Sequence, residues 1–291
     1  MIVSASYRTD IPAFYGAWFM DRLAAGNCQV ANPYGSGPYT VSLRPGEVDG
    51  FVFWTKNPAP FLEPLAAIEA RGYPFVVQFT ITGYPTPLEQ SVPDTEQSIK
   101  LLKMLANSFG SRAIVWRYDP IIETSLTATA WHVANFQRLA ASLTGATDEV
   151  IVSFAHIYRK TKRNLDSAAA RHGFSWRDPA IDEKETLAKR LAGIAADHRM
   201  KLTICSQPSL LVNGIDGARC IDAARLSDVA NRQISAKNKG NRPGCLCSES
   251  RDMGAYDSCP MGCAYCYAVK RRDIARDRHK CHDPGLPSLS Q

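Results

Sequence analysis

Short runs rich in β-branched and aromatic residues recur along the chain, separated by longer stretches in which apolar residues return every three or four positions. The runs predict six strands, at Ile2–Ser6, Gly50–Thr55, Phe75–Thr82, Ala113–Tyr118, Val150–Phe154 and Lys201–Cys205. The longer stretches predict helices. Phe14, Trp18 and Leu23 share one face, Ile99, Leu102 and Leu105 a second, Trp131, Phe136, Leu139 and Leu143 a third, and Leu187, Leu191 and Ile194 a fourth. Strands alternating with amphipathic helices argue for parallel βα units rather than an antiparallel sandwich. About six such units predict an α/β fold, a partial or complete TIM-like βα barrel. After about Gln233 the alternation stops and a stretch rich in Gly, Cys and Arg begins. Residues 1–232 are therefore expected to form the barrel, and residues 233–291 an irregular cysteine-rich cap.

The 291 residues, 45% of them apolar, suffice for one large core. No run of about 18 apolar residues occurs, so no membrane span is expected. The opening Met-Ile-Val-Ser-Ala-Ser reads as a first strand rather than a basic signal region, which predicts a cytoplasmic protein. In that reducing compartment nine cysteines point to metal ligands or catalytic groups rather than disulfides. The net charge is +6. Its excess lies late: between Asn231 and His282, Lys and Arg outnumber acids by about two to one. Such a surface suits an anionic substrate or a nucleic acid, and equally serves solubility alone.

The predicted strands end in polar groups that core packing does not call for: Tyr7-Arg8-Thr9-Asp10, Trp54-Thr55-Lys56-Asn57 and Trp116-Arg117-Tyr118-Asp119. In βα barrels the C-terminal strand ends build the site. Arg8, Asp10, Lys56, Asn57, Arg117 and Asp119 are accordingly expected to line one cavity. The competing reading makes Arg8–Asp10 and Arg117–Asp119 ion pairs that tie loops together. His156 is the one histidine at a strand end, suited to a loop hydrogen bond or to proton transfer. The basic run Tyr158–Arg163 is a solvated face or a contact for phosphates.

The sharpest local signal is Cys259-Pro-Met-Gly-Cys263-Ala-Tyr-Cys266-Tyr-Ala. Three thiolates at this spacing can ligate three irons of a [4Fe–4S] cubane and leave the fourth iron without a protein ligand. The open iron can chelate S-adenosylmethionine, whose reductive cleavage yields a 5′-deoxyadenosyl radical. Gly262 allows the loop its tight turn. Tyr265, placed to pack near the adenine, and Tyr267 complete the expected cofactor-binding residues. The alternative is structural zinc, which favours four closed ligands, often as two Cys-x-x-Cys knuckles. Only one such knuckle is present, and Cys245-Leu-Cys247 is too tight to be the second. Cys205, Cys220, Cys245 and Cys247 form a further candidate set, expected to hold a closed auxiliary cluster unless they are plain core residues. Cys28 and Cys281 read as solitary packing residues.

The string Cys259-x-x-x-Cys263-x-Tyr265-Cys266 resembles the motif of the radical S-adenosylmethionine superfamily. Its continuation Tyr-Ala, with Thr55-Lys56-Asn57, is similar to spore photoproduct lyase. Across nearly the whole chain the sequence resembles a bacterial family known as domain of unknown function 1848. Ser-Ala-Ser-Tyr-Arg-Thr-Asp-Ile-Pro-Ala-Phe-Tyr, Phe-Trp-Thr-Lys-Asn-Pro, Trp-Arg-Tyr-Asp-Pro-Ile-Ile and Asp252-Met-Gly-Ala-Tyr-Asp carry that likeness. It implies a C-terminal radical-type cluster motif and assigns no substrate. One departure stands out: in most of the superfamily the cysteines follow the first strand and precede a Gly-Gly-Glu-like segment. Here they follow the barrel and no Gly-Gly-Glu occurs. The resemblance thus implies a radical S-adenosylmethionine enzyme drawing electrons from a reductant such as flavodoxin or ferredoxin. Its expected substrate is a small or medium-sized anion, because no aromatic–basic interleaving of a stacking platform is visible. A nucleic-acid repair lyase, and a non-catalytic binding module stapled by zinc or a closed cluster, are the alternatives.

Overall fold

The computed structural model describes residues 1–32, 35, 37–212 and 214–289. Eight strands form one sheet: β1 (Ile2–Ala5), β2 (Gly50–Thr55), β3 (Phe75–Thr80), β4 (Ile114–Ile121), β5 (Glu149–Phe154), β6 (Lys201–Ile204), β7 (Asp216–Gly217) and β8 (Ser250–Asp252). Every neighbouring pair is parallel, and the spatial order β7-β6-β5-β4-β3-β2-β1-β8 follows the chain from β1 to β7. The helices α1 (Gly16–Ala25), α2 (Leu62–Ala70), α3 (Thr95–Phe109), α4 (Thr129–Leu143), α5 (Arg159–His172), α6 (Ile181–Asp197) and α7 (Ala223–Ala230) lie between strands, and α8 (Arg272–Lys280) follows β8. Among the described residues no helix is long and apolar enough to cross a membrane.

Successive side chains of a strand point to opposite faces, and here each face has its own core. Val3, Phe51, Phe53, Val77, Phe79, Trp116 and Val152 pack with Trp18, Leu102, Phe136 and Leu191 of the helices. Ile2, Val52, Val76, Val115 and Ile151 form a second core with Leu226 of α7. Burial on both faces is why β2–β5 read as near-continuous apolar runs. Two residues further along, the second face turns polar: Ser4, Gln78, Arg117 and Ser153 are buried there. One register thus carries an apolar floor at the N-terminal strand ends and a polar layer at the C-terminal ends.

Of the expected partial or complete barrel, the structure shows a large parallel α/β sheet flanked by helices. Among the described residues no ladder joins β7 to β8, so the sheet is not a closed barrel. These edge strands have only two and three residues, each paired with its inner neighbour alone. Loop bonds span the seam instead: Ser248 N–H donates to the Ile221 carbonyl at 2.8 Å, and Ala223 N–H to Ser248 Oγ at 3.2 Å. Nor is the segment after Gln233 simply irregular, since it supplies β8 and α8. Strand β8, Ser-Arg-Asp, has no apolar alternation to announce it; it is held on β1 by the Asp252 carboxylate, which accepts from Ser4 Oγ at 2.8 Å and Ser6 Oγ at 2.9 Å. Two small antiparallel ribbons, Asn27–Val30 with Tyr39–Ser42 and Glu123–Thr124 with Trp176–Arg177, are also absent from the apolar pattern.

The floor is tightly closed at Gly50. A Cβ there would lie 2.9 Å from Leu226 Cδ2 and 3.0 Å from the Pro74 carbonyl oxygen. Because the carbonyl belongs to backbone it cannot swing aside. Gly50→Ala is expected to cost about 1–3 kcal/mol, the usual range for overpacking, read as a lowered urea midpoint at unchanged slope.

Candidate functional site

Cys259, Cys263 and Cys266 lie on the loop between β8 and α8, and three straps hold that loop over the sheet. Cys263 forms an isolated antiparallel bridge with Glu89, and Ala264 N–H donates to the Leu88 carbonyl at 2.9 Å. From α8, Arg272 donates from Nε to the Pro260 carbonyl at 3.1 Å and also reaches Gln90 and Ser91. Gly262 has φ +86° and sits directly under that guanidinium, where a Cβ would collide with it. Glycine is therefore required both by the left-handed turn and by the close approach.

Under the loop, Glu89 Oε1 accepts Lys56 Nζ and Thr82 Oγ1, each at 2.8 Å, and the Tyr265 hydroxyl. Lys56 lies 5.7 Å from the centre of the Tyr265 ring. Burial opposes the Lys56 charge, but Glu89 and then Cys263 more than offset it and raise its pKa. Burial pushes Cys263 up while Lys56 pulls the other way. Burial, then Asp10, then Cys266 and Cys263 push Cys259 up; burial does the same to Cys266. Three partly buried thiols thus lie close enough for their charges to oppose one another, and a cation among them would reverse that balance.

The six strand-end residues separate into distinct roles. Asp10 caps the turn Ile11–Phe14, accepting Ala13 N–H at 3.0 Å, and takes Lys56 N–H at 2.8 Å. Asn57 accepts Ala59 N–H at 3.3 Å in the next turn. These two bind backbone; their side chains organise the loops that carry Arg8 and Lys56. Arg8 lies between the rings of Tyr7 and Tyr256, 5.4 Å from each centre. Its Nε is 3.6 Å from Asp252 and lacks a hydrogen bond, and its other nitrogens make bonds of 3.4 Å to the Gly254 carbonyl and the Tyr7 hydroxyl. Arg117 pairs with Asp119, which Ser153 also contacts, and donates to Gln78 Oε1 at 3.2 Å and to Cys220 Sγ at 3.0 Å. The expected cofactor contacts Tyr265 and Tyr267 both spend their hydroxyls on the protein, on Glu89 and on the Tyr7 carbonyl.

The second cysteine set also comes together. Cys205 Sγ lies 3.5 Å from Cys220 Sγ; Cys220 in turn bonds Cys247, and Cys247 bonds Cys245. The bond with Cys247 draws Cys245 down to about 6, while the bond with Cys220, then burial, holds Cys205 well above an ordinary thiol. Among the described residues, however, no group of three or more His, Cys, Asp or Glu side chains is arranged ready to hold a metal ion. Cys28 is buried in the first ribbon and Cys281 is exposed after α8, apart from both sets. His156 is half-buried with Nε2 unbonded, its pKa lowered by burial and then by Arg242 and Lys184. The basic run opens α5: Arg163 donates to the Lys270 carbonyl at 2.6 Å, and Lys160 lies 5.4 Å from the Tyr256 ring centre.

The sequence pointed to Asp252 and Tyr256 only as part of the family string, and not to Glu89 at all. Glu89 sits in a proline-rich loop with no spacing signal, and Asp252 lies in a strand without a pattern. Folding also gathers aromatic and basic residues that the linear sequence scatters. Tyr7 meets Trp54 with ring centres 6.4 Å apart, Tyr158 meets Tyr267 at 6.4 Å, and Arg8 and Lys160 flank Tyr256.

The Asp10 cap gives the site a pH signature. Burial raises this carboxyl to about 6, despite the hydrogen bonds to Lys56, Thr55 and Ala13. An unfolded carboxyl ionises near pH 4, so between about pH 4 and about pH 6 the native state holds more protons and stability falls as pH rises. Asp10→Asn keeps a capping side chain and removes the titration. It is expected to flatten that decline, which is on the order of 2–3 kcal/mol at most. Urea midpoints across the window, compared between the two proteins, measure it.

No curated protein matches the chain. The family model described as Domain of unknown function (DUF1848) matches residues 2–268, a span that includes the whole sheet and all three motif cysteines. The chain belongs to the domain of unknown function 1848 family.

Proposed function

We propose that the chain is a radical S-adenosylmethionine enzyme. In this reading Cys259, Cys263 and Cys266 hold a [4Fe–4S] cluster with one iron open to S-adenosylmethionine, and the substrate is an anion. The observation that carries it is one loop with three partly buried thiols, strapped over the polar C-terminal ends of a parallel sheet. The donor set fits: the thiols interact through charge, and each would gain from a cation that burial otherwise denies it. The chemistry such a group supplies when bound is one-electron cleavage of the sulfonium, giving methionine and a 5′-deoxyadenosyl radical able to take hydrogen from a substrate.

The chain's own residues do the rest. Glu89 fixes Lys56 and Tyr265 beneath the loop, so Lys56 holds a positive charge beside Cys263. Arg8 is buried, with one nitrogen unbonded and the others in long bonds, and is the cation best placed to take a carboxylate or phosphate from the substrate. The loops and the segment after Gln233 act as a cap that completes a barrel-like enclosure and keeps water from the reaction. The reductant in this reading is flavodoxin- or ferredoxin-like, and the compartment cytoplasmic.

The grouping of Tyr7, Trp54, Tyr158, Tyr256 and Tyr267 with Arg8 and Lys160 favours a second reading. It offers the ring faces and cations that bind bases and phosphates, as a repair lyase similar to spore photoproduct lyase would need.

Anaerobic reconstitution with iron and sulfide, followed by dithionite and S-adenosylmethionine, tests the class. 5′-Deoxyadenosine is expected, and Cys263→Ala should reduce it to background with an unchanged far-ultraviolet spectrum. Product formation undiminished in Cys263→Ala would sink the assignment, and a colourless protein holding zinc at these three cysteines would favour the non-catalytic alternative. For the repair reading, a single-stranded oligonucleotide should bind, weaken steeply with added salt and lose about tenfold in affinity in Arg8→Gln, the share of one charge-assisted contact.

A further inference from the structure

The four cysteines outside the motif stand at a telling place. Cys205 follows β6 directly, Cys220 follows β7, and Cys245 and Cys247 lie on the loop that enters β8. They therefore flank the one seam of the sheet that no ladder closes. Across this seam the backbone is already joined at Ser248–Ile221, and Ile221 N–H points at Cys247 Sγ at 3.4 Å. Packing alone does not require four thiols from three separate segments to meet.

The one close sulfur pair, Cys205 and Cys220, bears on the kind of metal. Four thiolates on one tetrahedral zinc, at about 2.3 Å from the ion, stand about 3.8 Å from each other. Thiolates of a cubane sit on separate irons and stand farther apart. The 3.5 Å between Cys205 and Cys220 Sγ matches the single ion. The surroundings suit a negatively charged tetrathiolate centre. Arg117 donates to Cys220 Sγ at 3.0 Å, Arg242 to Cys205 Sγ at 3.4 Å, and the Ile221 amide to Cys247. Such N–H···S bonds from outside the ligand set orient and neutralise thiolate ligands.

We propose that Cys205, Cys220, Cys245 and Cys247 bind one structural zinc ion that staples the open seam of the sheet, in place of the auxiliary iron–sulfur cluster that their number suggests. The sulfurs now form a chain of neighbours, 205–220–247–245, and the ion draws them into a tetrahedron as the remaining thiol protons leave to solvent. Its work is mechanical: it fixes the strand ends β6 and β7 to the loop before β8, and β8 leads into the motif cysteines. The site does not rest on the radical-enzyme reading, since it neither uses the motif cysteines nor needs iron.

Metal analysis of the full chain decides it, with zinc salt as the probe. The variant Cys259→Ala/Cys263→Ala/Cys266→Ala isolates the second site from the first. It is expected to keep about one zinc per chain, and adding Cys205→Ser and Cys247→Ser should bring that to near zero. Because the fivefold variant may lose its fold, cobalt exchange into the motif-less protein supplies a second measure. Strong sulfur-to-cobalt charge-transfer bands with tetrahedral d–d bands are expected, and they should persist in Cys28→Ser/Cys281→Ser. Iron and sulfide in place of zinc in the motif-less variant would establish a second cluster and overturn the proposal. A mass two daltons lower from a Cys205–Cys220 disulfide, or a folded motif-less protein that binds neither zinc nor cobalt, would overturn it as well.

Discussion

One buried carboxylate holds the two ends of the chain together. Asp252 on β8 accepts Ser4 Oγ, Ser6 Oγ and the amides of Tyr7 and Gly254, and faces the Arg8 guanidinium. Burial raises its pKa, against the pull of Arg8 and of its hydrogen-bond donors. Bonds to a charged acceptor contribute about 1.5–3 kcal/mol each, and removing one partner of such a group leaves the others buried and unmatched. Strand β8 has three residues and almost no apolar side chain to bury, so this carboxylate, rather than hydrophobic contact, sets its register on β1. Because the motif loop begins seven residues after Asp252, the position of Cys259 relative to Arg8 and Lys56 depends on that register. Gly254 shows how tight the fit is: a Cβ there would collide with Ser6 Oγ.

The same alternation that builds the sheet divides its second face by function. Ile2, Val52, Val76, Val115 and Ile151 bury against α7 and need nothing but packing. A step of two residues toward the C-terminal ends exchanges them for Ser4, Gln78, Arg117 and Ser153, and a further step reaches Lys56 and Asp119. A parallel sheet points all its C-terminal ends one way, so polar groups from separate strands meet without any of them being neighbours in sequence. The two cysteine sets approach this layer from different sides. One is strapped by the loop after β3 and by α8, the other by the ends of β6 and β7. Asp119 acts on both, through Lys56 toward the first and through Arg117 and Arg242 toward the second.

What could be read in the sequence follows from the range over which each signal acts. Strands β1 to β6 were legible because burial on both faces leaves a local apolar run, and their ends fell within a few residues of the expected ones. The stripes of α1, α3, α4 and α6 were legible because one buried face leaves an apolar return every three or four residues, although Phe14 of the first stripe belongs to the turn before α1. Strand β7 was not, since two residues, Asp-Gly, carry no alternation, and β8 was not, since its partner β1 lies some 250 residues earlier in the chain. The motif cysteines were conspicuous because their spacing is local. Glu89 was hidden because Cys263 and Tyr265, which it holds, come more than 170 residues later. Asp10 and Asn57 illustrate the opposite error. An Asp or Asn at a strand end that precedes a helical turn has the composition of a site residue and the geometry of a cap, and in both cases the backbone amides claimed it.

Charge in the interior then narrows what can enter it. Lys56 is matched by Glu89, Arg117 by Asp119 and Arg8 by Asp252, while Asp10 is satisfied by backbone amides. Among the described residues no carboxylate bonds Arg242; its charge is drawn up mainly by Cys205, against the cost of burial. Cys245 apart, the interior is therefore close to neutral as long as the other thiols keep their protons, and becomes negative around any metal that takes those protons away. A further anion would be repelled everywhere except beside a cation whose own bonds are weak. Lys56 and Arg117 make short, direct bonds to their acids and are already committed. Arg8 is the exception: its carboxylate stands at 3.6 Å, its hydrogen bonds are long, and its two flanking tyrosines leave the guanidinium edge for a stronger acceptor. An anionic ligand bound at this end of the sheet is thus drawn to Arg8, directly beside the carboxylate that holds the motif loop in register.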